Sequence, residues 1–75
     1  MKRFLESLAC ELVDEPRRVS VREEEEDGVV YFSLRVAQGD RGRVIGKNGR
    51  TADALRTLLD VVALRHGVEC EVEVE

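Results

Sequence analysis

The stretch Gly42-Arg43-Val44-Ile45-Gly46-Lys47-Asn48-Gly49-Arg50-Thr51 holds the residues of this sequence best suited to chemistry. Gly46 and Gly49 stand at two corners, where they allow a sharp reversal and leave no Cβ in the way of an approaching backbone. A long helical pattern starts directly behind them. Its first N–H groups lack partners and its dipole is positive at that end. Lys47, Arg50 and Arg43 add full charges. That combination suits an anion, and a phosphodiester backbone in particular.

Two other readings fit the same glycines. A nucleotide-binding loop has the form G-x-x-x-x-G-K-[ST]. Here Gly42 and Gly46 are one residue too close, Asn48 replaces the hydroxyl that binds magnesium, and no strand directly precedes the segment. A plain connection between two helices, with glycines only for chain reversal, is the simpler alternative. The basic cluster and the order of elements weigh against it.

No nucleophile–base pair, carboxylate dyad or metal cluster is visible, so no catalytic residue, metal or cofactor is expected. His66 is the sole histidine and falls at the end of a helical pattern, where a cation is favourable. Cys10 and Cys70 form no C-x-x-C motif. They read as small buried apolar side chains, with their redox state left open.

The formal net charge of −4 argues against a nucleic-acid partner, but its distribution argues for one. The window from Arg41 to Arg56 carries +4, from Arg41, Arg43, Lys47, Arg50 and Arg56 against Asp53, which leaves −8 for the remainder. A basic patch on an acidic body is still an electrostatic footprint for phosphates.

The elements that position the loop follow from periodicity. Phe4, Leu5, Leu8, Ala9, Leu12 and Val13 recur at helical spacing, and Asp14-Glu15-Pro16 ends that helix. Residues 18–37 read as an antiparallel hairpin. Val19 and Val21 alternate on its first arm, and Val30, Phe32, Leu34 and Val36 on its second. The tight turn falls at Asp27-Gly28, and the run Glu23 to Glu26 reads as part of a solvated turn. Asp40 is a plausible N-cap for a short helix from Arg41 to Ile45. The helical period returns from Arg50 to His66, and Gly67 sits where a C-cap glycine belongs. Val68, Cys70, Val72 and Val74 then alternate with Glu69, Glu71, Glu73 and Glu75 in a last strand of open orientation.

At 75 residues this is a single domain with a thin stability margin. Hydrophobic residues at 43% are enough for it to fold rather than stay disordered. With only Phe4, Tyr31 and Phe32 as aromatics, the core must be aliphatic. The Met1-Lys2-Arg3-Phe4 start runs straight into an amphipathic pattern and does not read as a signal peptide. No apolar run reaches membrane-spanning length, so no membrane partner and a cytoplasmic location are expected.

Ile45-Gly46-Lys47-Asn48-Gly49-Arg50, set between a short helix and a long one, resembles the I-G-x-x-G signature of KH domains. The order of elements resembles the type II, bacterial version of that fold (αββααβ), an α+β architecture in which three helices pack on one side of a three-stranded sheet. The resemblance covers essentially the whole chain. It implies a non-catalytic module for single-stranded RNA whose loop clamps the backbone of about four nucleotides. By position, Gly46 and Gly49 become the loop glycines, and Lys47 and Asn48 the variable pair on phosphate, with Arg50 behind them. Ile45 and Val44 become part of an apolar groove floor. The middle strand is expected to give the opposite wall through Leu34 and Val36, with Arg35 and Arg43 at the rim. The resemblance also implies an RNA-chaperone role and a homodimer, or a heterodimer with a larger KH-containing protein. No aromatic lies near the loop to stack on bases, so one copy should bind weakly and gain from a second.

The long helix carries the surface on which such pairing bears. Ala52, Leu55, Leu58, Leu59, Val62 and Ala63 form its core stripe. Ala54 and Val61 widen the apolar arc to roughly 200°, against the roughly 100° that core packing needs. Either the helix is sunk deep against the sheet, or Ala54, Leu58 and Val61 face a second subunit.

Overall fold

The computed structural model describes all 75 residues, Met1 to Glu75. The elements run α1 (Lys2–Leu12), β1 (Ser20–Glu26), β2 (Val29–Arg35), α2 (Arg41–Ile45), α3 (Arg50–Arg65) and β3 (Glu69–Val74). Short 3-10 turns lie at Pro16–Arg18, Gln38–Asp40 and Lys47–Gly49. This is the αββααβ order of the type II KH fold, with the helices packed on one face of a three-stranded sheet.

The hairpin forms through a two-residue turn in which Asp27 and Gly28 both have positive φ, 53° and 80°. That geometry matches the right-handed twist of the arms. Pairing continues from Glu26↔Val29 to Ser20↔Arg35. The glutamate run expected as a solvated turn is therefore strand, although its side chains are solvated as expected. Each glutamate is paired through its backbone with an apolar-rich partner strand, and that pairing outweighs the poor strand propensity of Glu.

β1 occupies one side of β2, and the chain returning from α3 takes the other. β3 pairs with β2 in parallel, from Val29↔Glu69 to Leu34↔Val74, so the sheet order is β1-β2-β3. The helical crossover makes the parallel pairing possible. Val30, Phe32 and Leu34 of the central strand point under the helices and are buried, as their alternation predicts. With Leu5 and Ala9 of α1, Val44 of α2, Leu55 and Leu59 of α3, and Val21, Val36 and Val72, they form one largely aliphatic core around Phe32.

A paired C-terminal motif closes α3. The Gly67 N–H donates to the Leu64 carbonyl at 3.1 Å and the Val68 N–H to the Ala63 carbonyl at 3.1 Å. Gly67 supplies the required positive φ of 72°. This is the Schellman arrangement, and it starts β3 at a fixed angle to the helix.

The reversal between α2 and α3 has two unequal glycines. Gly46 adopts φ 77° and ψ 170°, a region that essentially only glycine occupies. A Cβ there would strike the Thr51 Oγ1 and lie 2.7 Å from its Cβ and 2.8 Å from its backbone nitrogen. Gly49 is ordinary left-handed backbone, φ 74° and ψ 12°, with open space around it. Gly46→Ala should therefore lose about 3 kcal/mol or more, combining backbone strain with the clash. Gly49→Ala should lose about 1 kcal/mol. Urea denaturation of both variants checks this, and equal losses would contradict the asymmetry.

Candidate nucleic-acid interface

The loop is a tight turn closed by the Gly49 N–H donating to the Gly46 carbonyl at 3.1 Å. Lys47 and Asn48 form its tip and are exposed. Asn48 has φ 58° and ψ 27°, the left-handed conformation that asparagine tolerates better than other side chains. Gly49 is the N-cap of α3 and has no side chain with which to cap it. The first-turn N–H groups of a 16-residue helix thus stand behind the tip without a side-chain acceptor.

The five cations of the basic window divide into two groups. Arg41, Lys47 and Arg50 are exposed and none lies within ion-pair distance of a carboxylate. Arg56 is engaged: its Nη1 lies 3.1 Å from Asp53 and its Nε donates to the Val72 carbonyl at 3.2 Å. It ties α3 to β3, and it draws off the negative charge of the acid in the first turn of α3. Arg43 is engaged as well, 3.1 Å from Asp14 and 3.9 Å from Asp40.

Asp40 stands at the N-cap position of α2 but makes no side-chain cap bond. Its carboxylate turns inward, only 3% of the residue remaining exposed, and accepts the backbone N–H of Asp14 and of Glu15, each at 3.1 Å. A buried carboxylate needs such donors. The contact ties the segment after α1 to the start of the helix that delivers the loop. Nothing in the local sequence distinguishes this long-range use of Asp40 from ordinary capping.

The expected groove residues are placed unevenly. Ile45 is half-buried at the end of α2, next to Gly46. Val44 is wholly sealed in the core, so it supports the loop helix from beneath and does not form an open floor. Leu34 and Val36 are sealed too and cannot wall a groove. Arg35 lies on the far face of the sheet, 3.6 Å from Glu75, and not at the rim.

The strand edge that lies open beside α2 and α3 belongs to β3. Glu69 and Glu75 bond back toward β2, the Glu69 N–H to Gly28 and the Glu75 N–H to Leu34. The intervening Cys70, Val72 and Val74 therefore turn their N–H and C=O groups outward. A cleft of about 370 Å³ runs along this edge, lined by Arg56, Asp60, Cys70 and Val72 among others. Local sequence did not single out this edge, because a hairpin offers two free edges to the strand that follows the long helix, and only the sheet order β1-β2-β3 shows which is used.

The cysteines are both free and half-buried. Burial, then a hydrogen bond donated by the thiol to Asp60 at 3.5 Å and the charges of Asp60 and Glu71, pushes Cys70 up to about 11. It stays a thiol at neutral pH and is not a nucleophile. No helix is long and apolar enough to cross a membrane.

Comparison with known proteins agrees with this geometry. The family model described as KhpA/KhpB, KH domain, matches residues 2–74. The protein of Chlamydia trachomatis named RNA-binding protein KhpA is 43% identical over 74 residues, covering 99% of this chain and 95% of its own. Its namesake in Clostridium acetobutylicum is 40% identical, covering 99% of both chains, and that of Listeria monocytogenes 38%, covering 99% of this chain and 97% of its own. The loop, the element order and these matches along almost the full length agree, and the chain belongs to the KhpA/KhpB family of KH domains.

Proposed function

We propose that this chain is a non-catalytic binder of single-stranded RNA that grips sugar–phosphate backbone at Gly46-Lys47-Asn48-Gly49. The observation that carries this is the exposed turn itself, with a Gly-only corner at Gly46, two polar tip residues and an uncapped helix start behind them. The relatives' name, RNA-binding protein KhpA, supports it. Lys47, Asn48 and Arg50 meet phosphates, and Ile45 lies under the neighbouring bases. Arg43 stands at the rim, and Val44 holds the helix from below. The outward edge of β3 is the opposite wall.

Grip on backbone without a stacking aromatic is tolerant of base sequence and weak per copy. Two copies joined would raise the effective concentration of the second grip. The outer face of α3 offers the joint: Leu58, Val61 and Leu64 remain 45%, 53% and 79% exposed. Their spacing is even about Val61, so a two-fold axis there sets Leu58 of one copy against Leu64 of the other, an isologous contact. A dimer of weak, base-tolerant grips fits an RNA chaperone in the cytoplasm, where free thiols also persist. The exposed apolar stripe on an acidic body favours a second reading, in which the fold serves mainly to join a larger KH-containing protein that makes the RNA contact. RNA binding by the isolated domain at physiological salt separates the two.

Two measurements test the main reading. If the loop neutralises about three phosphates, affinity should fall with salt at a log–log slope near −2, using about −0.7 per contact. Lys47→Asp combined with Asn48→Asp should abolish binding while the circular dichroism spectrum and melting temperature stay near wild type. A flat salt response, or undiminished binding by the double variant, would exclude the loop as the site. Val61→Arg should leave a folded monomer by sedimentation; a folded Val61→Arg dimer would remove α3 as the joint.

A further inference from the structure

Arg43 sits one turn before Gly46, on the helix that delivers the loop, and its charge is already engaged. Its two acidic neighbours are not equivalent. Asp40 is buried, both its oxygens accept main-chain N–H groups, and it stands 3.9 Å from the Arg43 Nε. Asp14 is the close partner, at 3.1 Å from Nη2, with its side chain 70% exposed and its carboxylate in no other ion pair or hydrogen bond. The Asp14 main chain is pinned, because its own N–H donates to Asp40. A carboxylate is thus held by the backbone against the cation nearest the loop on its α2 side. An exposed ion pair is weak. A phosphate oxygen makes the same kind of charge-assisted bond to guanidinium, so the two acceptors compete on comparable terms.

We propose that Asp14 competes with the RNA backbone for the Arg43 guanidinium and so holds the affinity of the loop below what its cations could give. This rests on the RNA-binding reading above and adds a residue outside the loop that sets its strength. Removing the carboxylate frees Arg43 for one further phosphate.

The test is fluorescence anisotropy of a labelled, mixed-sequence single-stranded RNA, titrated with the full chain over a range of salt. Asp14→Asn should bind about two- to fivefold tighter at low salt, with a log–log slope steeper by about 0.7. Asp14→Ala is run beside it, since an Asn amide oxygen still accepts from Arg43. In an Arg43→Gln background neither substitution should have any effect. A mere loss of one acid from the body would raise affinity whatever stands at position 43. A gain that persists with Arg43→Gln therefore overturns the role of Asp14. So do unchanged or weakened binding and an unchanged slope in both variants while their melting temperatures match wild type. Failure of the wild-type chain to bind at all overturns the RNA reading itself, a different result from binding by wild type that the variants leave unaltered.

Discussion

The contact between Gly46 and Thr51 is the constraint on which the functional end of the molecule depends. Two helices must meet at a corner so close that the side chain beginning the second fills the space where a Cβ would stand on the first. Only the Gly-only backbone region permits that approach. Everything around the tip inherits its placement from this corner: the outward display of Lys47 and Asn48, the uncapped start of α3, and the half-buried Ile45 beside it. Asp40 fixes the other end of the short helix. With five residues between a buried carboxylate and a glycine that admits no substitute, α2 has little freedom to tilt, and the loop is presented rigidly.

Much of this was legible in the sequence, because local rules governed it. The element order, the Asp27-Gly28 turn, the Gly67 cap and the inward row of Val30, Phe32, Leu34 and Val36 follow from periodicity and turn chemistry alone. What escaped depends on neighbours far along the chain. Glu23 to Glu26 look like turn residues until the partner strand is counted. Asp40 looks like a cap until Asp14 and Glu15 are brought beside it. Leu34 and Val36 look like a groove wall until the sheet order shows β2 in the middle, sealed on its helix-facing side. Arg35 shares that strand but its side chain emerges on the opposite face, which alternation alone could have shown. Charge counting misled in a similar way, since two of the five cations in the basic window are engaged by acids within the fold.

The charge layout gives the molecule two ends of unlike character. The loop end carries unpaired cations, while the exposed sheet face shows glutamate at every second position of β3 and at Glu24 and Glu26 of β1. A polyanion approaching from the sheet side is repelled, so productive encounters are confined to one approach. An acidic isoelectric point is therefore compatible with a nucleic-acid ligand, provided that the sign of the surface changes across the molecule.

The bond from Arg56 to the Val72 carbonyl has a consequence for how copies can associate. A terminal strand with outward-facing amides is a template on which another chain could lay a further strand, and repeated addition leads to fibres. Here a guanidinium occupies the central acceptor of that template, and the flanking glutamates place like charges wherever a second such strand would align. Growth strand upon strand is thereby discouraged.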